Sequence, residues 1–457
     1  MRASHTLALA AALLLAGLAP RAHAGVSAEE AATLKTTLTP LGGERAGNKE
    51  GTIPAWTGGN TTPTPGFVNG GRRPDPFAAD KPLYSITAKN VDQYADKLSD
   101  GTKAMFRKFP DTYRIDVYPT RRTAAAPQHV YDETFKNATR GKLGANATGN
   151  PLPENVIGGI PFPIPKSGAE VIWNHNLRVR PEAWQFIEKG ILTTSDGKHV
   201  TTVEGVGDQQ MPYFFKEATP EKFDANYWFI RLVNTGPPIR AGEGITGFET
   251  MDPEKKAAWV YLPGQRRVRK LPNSCCDTPT PASAGVMNFD DIEVWTGGKL
   301  DLFDWKLAGK KEMIVPYNDN KFLQPTRDSD VLMPNHLNPD HVRWELHRVW
   351  VVDATLAAGK RHTSPKSRYY IDEDSWSGLL ADRWDAKGQL WKTLWSLPVS
   401  MPDVPAVIGV TFGFYDLLSG AWYASQIVNE KSEHYRIMPR YPASAFTPDA
   451  MAGEGIR

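Results

Sequence analysis

The stretch GLLADRWDAKGQLWKTLWSL, residues 378–397, decides the fold class. Two strand-like runs, Gly378–Trp384 and Leu390–Leu397, flank the short link Asp385–Gly388. Such a link leaves no room for a crossover, so the strands must run antiparallel. In the second run Trp391, Trp395 and Leu397 share a face. The arrangement repeats. Pro263-Gly264 joins Ala257–Leu262 to Arg266–Leu271, and Ser419-Gly420 joins Val407–Tyr415 to Ala421–Val428. Further strands are expected at Tyr227–Val233, Glu312–Val315, Arg343–Val352, Arg368–Ile371 and His434–Met438. Many strands at this spacing predict a mainly β fold with some helix (α+β), its core a large curved antiparallel sheet or unclosed barrel. No period of about 40 to 50 residues emerges, which argues against a propeller.

The alternation within these strands is aromatic. Trp344, Leu346, Trp350 and Val352 fall on one face with Arg348, and Trp422 with Ala424 opposes Tyr423 with Ser425. A curved sheet with such a surface must either bury helices or enclose something apolar. The candidate cavity residues are Trp228, Trp259, Trp344, Trp350, Trp391, Trp395 and Trp422.

Upstream the chain changes character. Leu7–Leu18 is an apolar run of about 12 residues behind Arg2, closed by Ala22-His23-Ala24. That pattern predicts an export signal cut after Ala24, because a membrane-spanning helix needs roughly 20 apolar residues. Ser27 with Glu30 caps a short helix, and Thr39–Gly71 is too rich in Gly and Pro for regular structure. Ile53, Trp56 and Phe67 punctuate that stretch, so it is expected to lie on the body as an extended arm. Val91, Tyr94, Ala95 and Leu98 predict a helix, and Tyr113, Ile115 and Val117 a strand. The expected organisation is a signal at 1–24, an arm with packed helices at 25–165 and an antiparallel half-barrel at 166–457, residues 25–457 forming one unit.

The totals exclude some functions. Losing Arg2 and Arg21 from 53 Lys and Arg leaves a balance with 51 Asp and Glu, so no nucleic-acid partner is expected. The adjacent Cys275 and Cys276 can form a vicinal disulfide, pair between molecules or remain thiols. There is no G-x-S-x-G, phosphate loop, dinucleotide fingerprint or H-E-x-x-H, and no cofactor is expected. His336, Asp340, His341, Glu345 and His347 come nearest to a metal cluster, but Pro339 breaks any helix there and no metal is assigned. Asp290-Asp291, Asp301 and Asp304, and in another stretch Asp372, Glu373 and Asp374, could supply paired carboxylates, but adjacent acids in turns are expected to face solvent or cap neighbouring backbone. Arg266, Arg267, Arg269 and Lys270 form a basic run that either meets lipid headgroups or an acidic partner, or protects an edge strand.

Several long stretches carry a resemblance. They are Leu38–Asn48 with Ile53–Gly59, Ala258–Arg269, Asp304–Leu307 running to Val315–Asn318, and Glu345–Trp350. Together they resemble an exported bacterial family catalogued as a domain of unknown function, number 1329, similar to the lipoprotein carriers LolA and LolB. The resemblance implies an unclosed barrel wrapped over helices around an apolar cavity. It also implies partners: an exporter of the resistance-nodulation-division class and an outer-membrane barrel protein. The family supplies no catalytic residues. One departure is Ser274–Pro279, where the cysteine pair replaces an aromatic expected before Asp277. The expected function is a non-catalytic periplasmic carrier of a lipid, acyl chain or other hydrophobic molecule, with peripheral membrane contact. The alternatives are a hydrolase built around His336–His347 and an adaptor docking through the 39–71 arm.

Overall fold

The computed structural model describes residues 25–295 and 299–454, so the export signal read in residues 1–24 lies outside it. From the N-terminal region come β1 (Tyr84–Ile86), β2 (Ile115–Tyr118) and the small ribbon β3 (Lys142–Ala145) and β4 (Pro151–Glu154). The body follows as β5 (Ala183–Thr193), β6 (His199–Gln210), β7 (Asn226–Gly236), β8 (Gly244–Thr250), β9 (Ala257–Leu262) and β10 (Arg267–Lys270). A long loop leads to β11 (Phe303–Pro316), β12 (Trp344–Leu356), β13 (Lys366–Asp372) and β14 (Gly378–Trp384). The last strands are β15 (Leu390–Met401), β16 (Ala406–Asp416), β17 (Trp422–Ser425) and β18 (Arg436–Ile437).

Sixteen of these form one sheet. Its neighbours run β1-β2-β12-β13-β14-β15-β16-β17-β5-β6-β7-β8-β9-β10, with β11 branching from β12 and β18 from β5. Every pairing is antiparallel except β2 with β12. The two halves meet where Trp422–Ala424 faces Ile191–Thr193. The path ends at β1 and β10 without closing, so the sheet is an open one. The three expected hairpins are present, as β9–β10, β14–β15 and β16–β17.

Both faces of the central strands are covered. On one, called here the inner face, the helix Gly168–Asn176 is buried at all nine positions. Its Ile172 and Trp173 share a cluster with Ile371, Ala381, Leu394, Phe412 and Phe414. On the outer face the helix Asp100–Lys108 sets Met105 and Phe106 against Tyr370, Leu380, Trp395, Leu397 and Tyr415. In chain order the α-helices among the described residues are α1 (Ala28–Ala32), α2 (Asp100–Lys108), α3 (Gln128–Arg140), α4 (Gly168–Asn176), α5 (Asp328–Val331) and α6 (Pro448–Glu454). Burial on both sides is why β16 shows no exposed face from Ala406 to Tyr415.

Several local expectations are corrected. The stripe from Val91 to Leu98 forms a 3-10 turn, Val91–Lys97, and the α-helix begins one step later. Ser99 caps that later start, its Oγ accepting from the Thr102 amide at 3.0 Å. Gly101 then lets α2 press on the sheet, where any Cβ would fall 2.2 Å from Asp382 Oδ1 and Thr393 Oγ1. The α4 helix lies at the start of 166–457, the region expected to be an antiparallel half-barrel. Its signal was Ser167 with Glu170, a full capping box. Strands β5 and β6 escaped the reading because their Glu188, Asp208 and Gln209 look like loop residues. Those groups are buried on partners supplied by other strands: Ser425 donates to Glu188, Arg231 to Asp208 and Trp228 to Gln209.

The 39–71 arm does lie on the body. Its backbone carbonyls cannot form a ladder, so buried guanidiniums satisfy them. Arg122 donates to the carbonyls of Glu44 (2.6 Å), Arg45 (3.3 Å) and Pro54 (3.3 Å), and grips Asp374 through Nε and Nη2 at 2.8 and 2.6 Å. Arg348 donates to Ala46 O and to Glu373. Replacing Arg122 with Met leaves Asp374 buried without its main partner. Unfolding in urea should then show a loss of about 3–5 kcal/mol, and a loss below about 1 kcal/mol would mean that the arm is not pinned this way.

Candidate functional site

Inner-face residues align in rows across the sheet. One runs Phe186, Gly207, Leu232, Ile245, Val260 and Arg269 from β5 to β10. The next runs Trp184, Gln209, Ile230, Gly247 and Ala258. Residues directly opposite in an antiparallel pair project to the same side. The second row ends in glycine and alanine, so little side chain fills the space above β8 and β9.

That space is roofed by the segment 271–294. A chamber of about 70 Å³ lies between Trp228, Ile230, Leu232, Ile245 and Ala258 on the sheet and Thr280, Ala282, Phe289 and Ile292 in the roof. An outer compartment of about 220 Å³ adjoins it, walled by Val260, Leu262, Arg240, Pro281 and Ala284. Both share Leu232, Ile245 and Ala282. Together they fall just under the roughly 300 Å³ at which small-molecule sites begin. The one charged side chain in the inner chamber is Glu249, which burial holds above the usual carboxylate range and Lys256 meets at 3.4 Å.

Ion pairs fix the roof. Arg383 Nη1 stands 3.0 Å from both Asp290 Oδ1 and Asp291 Oδ1, and Lys392 Nζ 2.9 Å from Asp291 Oδ2. His362 Nε2 stands 2.9 Å from Asp290 Oδ2. Burial would raise the Asp290 carboxyl, but Arg383 and His362 outweigh it and hold it below the ordinary aspartate range. Further along, Glu293 pairs with Arg178 and Arg180, and His175 Nε2 lies 2.7 Å from Trp295 O. The acidic pair read as a turn feature is therefore the roof's anchor. Cys275 and Cys276 are bonded to each other in the same segment, and both are buried.

The expected tryptophans do not converge on one hollow. Trp228 walls the chamber, with Nε1 donating to Gln209 at 2.8 Å. Trp259 sits on the opposite face against Phe248, with Lys270 over its ring. Trp344 and Trp395 meet on the outer face with Tyr415 around a gap of about 30 Å³, room for a single water. Trp350 stacks on Trp376 at 6.2 Å, Trp422 is buried against Tyr415, and Trp391 donates to Asp416. The chamber's aliphatic walls escaped the sequence reading, since Ile and Leu in a strand look the same whether they pack or line a void. In the basic run, Arg267 and Arg269 oppose Leu262 and Val260 on the inner side; Lys270 opposes Trp259, and Arg266 occupies the hairpin turn.

The histidines also diverge. His336 lies 3.0 Å from Thr112 Oγ1, and His341 is half-buried at a turn. His347 is sealed under the Tyr317 ring at 3.8 Å, with Glu345 Oε2 at 3.0 Å and Asp372 Oδ1 at 3.6 Å. Among the described residues, no group of three or more His, Cys, Asp or Glu could hold a metal ion. Burial would lower the His347 pKa, but Asp372 and Glu345 outweigh it and push it up to about 9. An unfolded histidine titrates near 6.5, so the folded chain binds this proton more tightly. The stabilisation is complete below about pH 6.5 and vanishes as pH rises through about 9. The difference in unfolding free energy between the wild type and His347→Gln should shrink across that window. A difference that stays flat or grows would show the site neutral in the folded state.

With this geometry in place, residues 85–452 match the family described as Protein of unknown function (DUF1329). A Pseudomonas aeruginosa relative, Uncharacterized protein PA3922, is 39% identical over 469 aligned residues, covering 100% of both chains. A crystal structure of a DUF1329 family protein from Desulfovibrio piger aligns over 62% of this chain and 97% of that one, at 14% identity and a TM-score of 0.41. LolA superfamily protein NE2245 from Nitrosomonas europaea aligns over 63% of this chain and 100% of that one, at 12% identity and a TM-score of 0.35. Both scores fall short of a shared overall superposition, and the fold described above rests on this chain's own strand pairings.

Proposed function

This chain belongs to the DUF1329 family of proteins of unknown function, and from the roofed chamber on its inner face we propose that it binds and carries a hydrophobic molecule without transforming it. The observation that carries the reading is the apolar space between β7–β9 and the 271–294 segment. Its walls offer mostly aliphatic carbon, and transfer of alkyl surface from water gains roughly 0.8 kcal/mol per buried methylene. The volumes suit a short alkyl segment or one end of a longer acyl chain. Divergence of His336, His341 and His347 weighs against the hydrolase alternative. The apolar run Leu7–Leu18 and the small residues Ala22 and Ala24 support a periplasmic address.

Titration with a fluorescent polyene fatty acid tests the proposal. Saturable binding is expected, and Ile245→Trp, which fills the wall shared by both compartments, should weaken it at least ten-fold while the circular dichroism spectrum stays unchanged. No saturable binding by the wild type, together with solvent extracts of the purified protein that contain no lipid, would reject the carrier reading.

A further inference from the structure

We propose that the chamber's mouth reads an anionic headgroup, so that the guest is an anionic amphiphile; this rests on the carrier reading above. The apolar row that floors the site ends at Arg269, opposite Val260, and Arg267 stands opposite Leu262. Both side chains thus leave the sheet on the chamber's side, with Cβ atoms about 5 Å from those of the apolar wall. Both residues are exposed. Among the described residues no carboxylate pairs with Arg267 or Arg269, whereas Arg178, Arg343 and Arg383 each hold one.

Arg240 brings a third cation to the same mouth. Its Nη2 donates to Pro281 O at 2.9 Å and pairs with Glu243 at 2.7 Å, while its buried Nε has no hydrogen-bond partner. Glu243 balances one of these three charges and leaves the mouth cationic. A guanidinium fork matches a carboxylate or phosphate in two parallel hydrogen bonds. Protection of an edge strand would explain charge at β10, but it gives no reason for two unpaired arginines to stand beside the apolar wall. The shared chemistry is an alkyl chain ending in an anionic oxygen group, whether free or set in a membrane.

The test compares a fluorescent polyene fatty acid with its methyl ester on the full mature chain. The acid should bind about ten-fold tighter. In Arg267→Gln/Arg269→Gln the acid should fall to the ester's affinity while the ester is unchanged. Equal binding of acid and ester by the wild type, or an unaltered acid affinity in the variant, overturns the headgroup reading and leaves the chamber standing. Failure of both probes overturns both readings. Co-sedimentation with phosphatidylglycerol against phosphatidylcholine vesicles separates the two sources. Arginine-dependent binding to the former places the anion in a membrane surface, and a response to the monomeric acid alone places it on a free amphiphile.

Discussion

Arg383 and Lys392, rising from two neighbouring strands, hold Asp290 and Asp291 in a buried cluster, and the chamber depends on that grip. The 271–294 segment contains only short 3-10 turns and no strand, so past Leu271, whose amide donates to Ala258 O on β9, no ladder ties it to the sheet. The ion pairs, with Glu293 on Arg178 and Arg180, do that instead. Buried charges are costly to desolvate, and one left alone is costlier still. The segment therefore has one favourable seat, which is the position that roofs β7–β9.

The location of the void follows from what fills the rest of the inner face. Helix α4 and the aromatic group of Trp295, Phe303, Trp305 and Tyr369 occupy the space above β11–β16. At the start of β7 Trp173 of α4 still meets Tyr227, but farther along the row of Ile230, Gly247 and Ala258 ends in residues of little volume. A sheet with large side chains there would have closed on the roof. The chamber is thus a consequence of small residues at one end of an otherwise fully packed face.

Much of the architecture was legible in the sequence because hairpins are local. The links at Pro263-Gly264, Asp385–Gly388 and Ser419-Gly420 impose antiparallel pairing between adjacent segments. The arm was legible for a similar reason, since Gly and Pro forbid a ladder whatever surrounds them. Strands β5 and β6 were not, because Glu188, Asp208 and Gln209 find their partners on β17 and β7. Nor was the site. Tryptophan was the natural marker of a greasy hollow, yet six of the seven candidates pack elsewhere, against partners on neighbouring strands and loops.

What the chain determined alone is the open antiparallel sheet, its tight hairpins and the extended arm, all decided by residues within a few positions of one another. Tertiary structure decided that β17 joins β5, that Asp290 and Asp291 are an anchor and that Arg269 ends an apolar row. The physical reason is that a side chain's burial, charge partner and room depend on segments brought together only by the closed packing of the whole sheet.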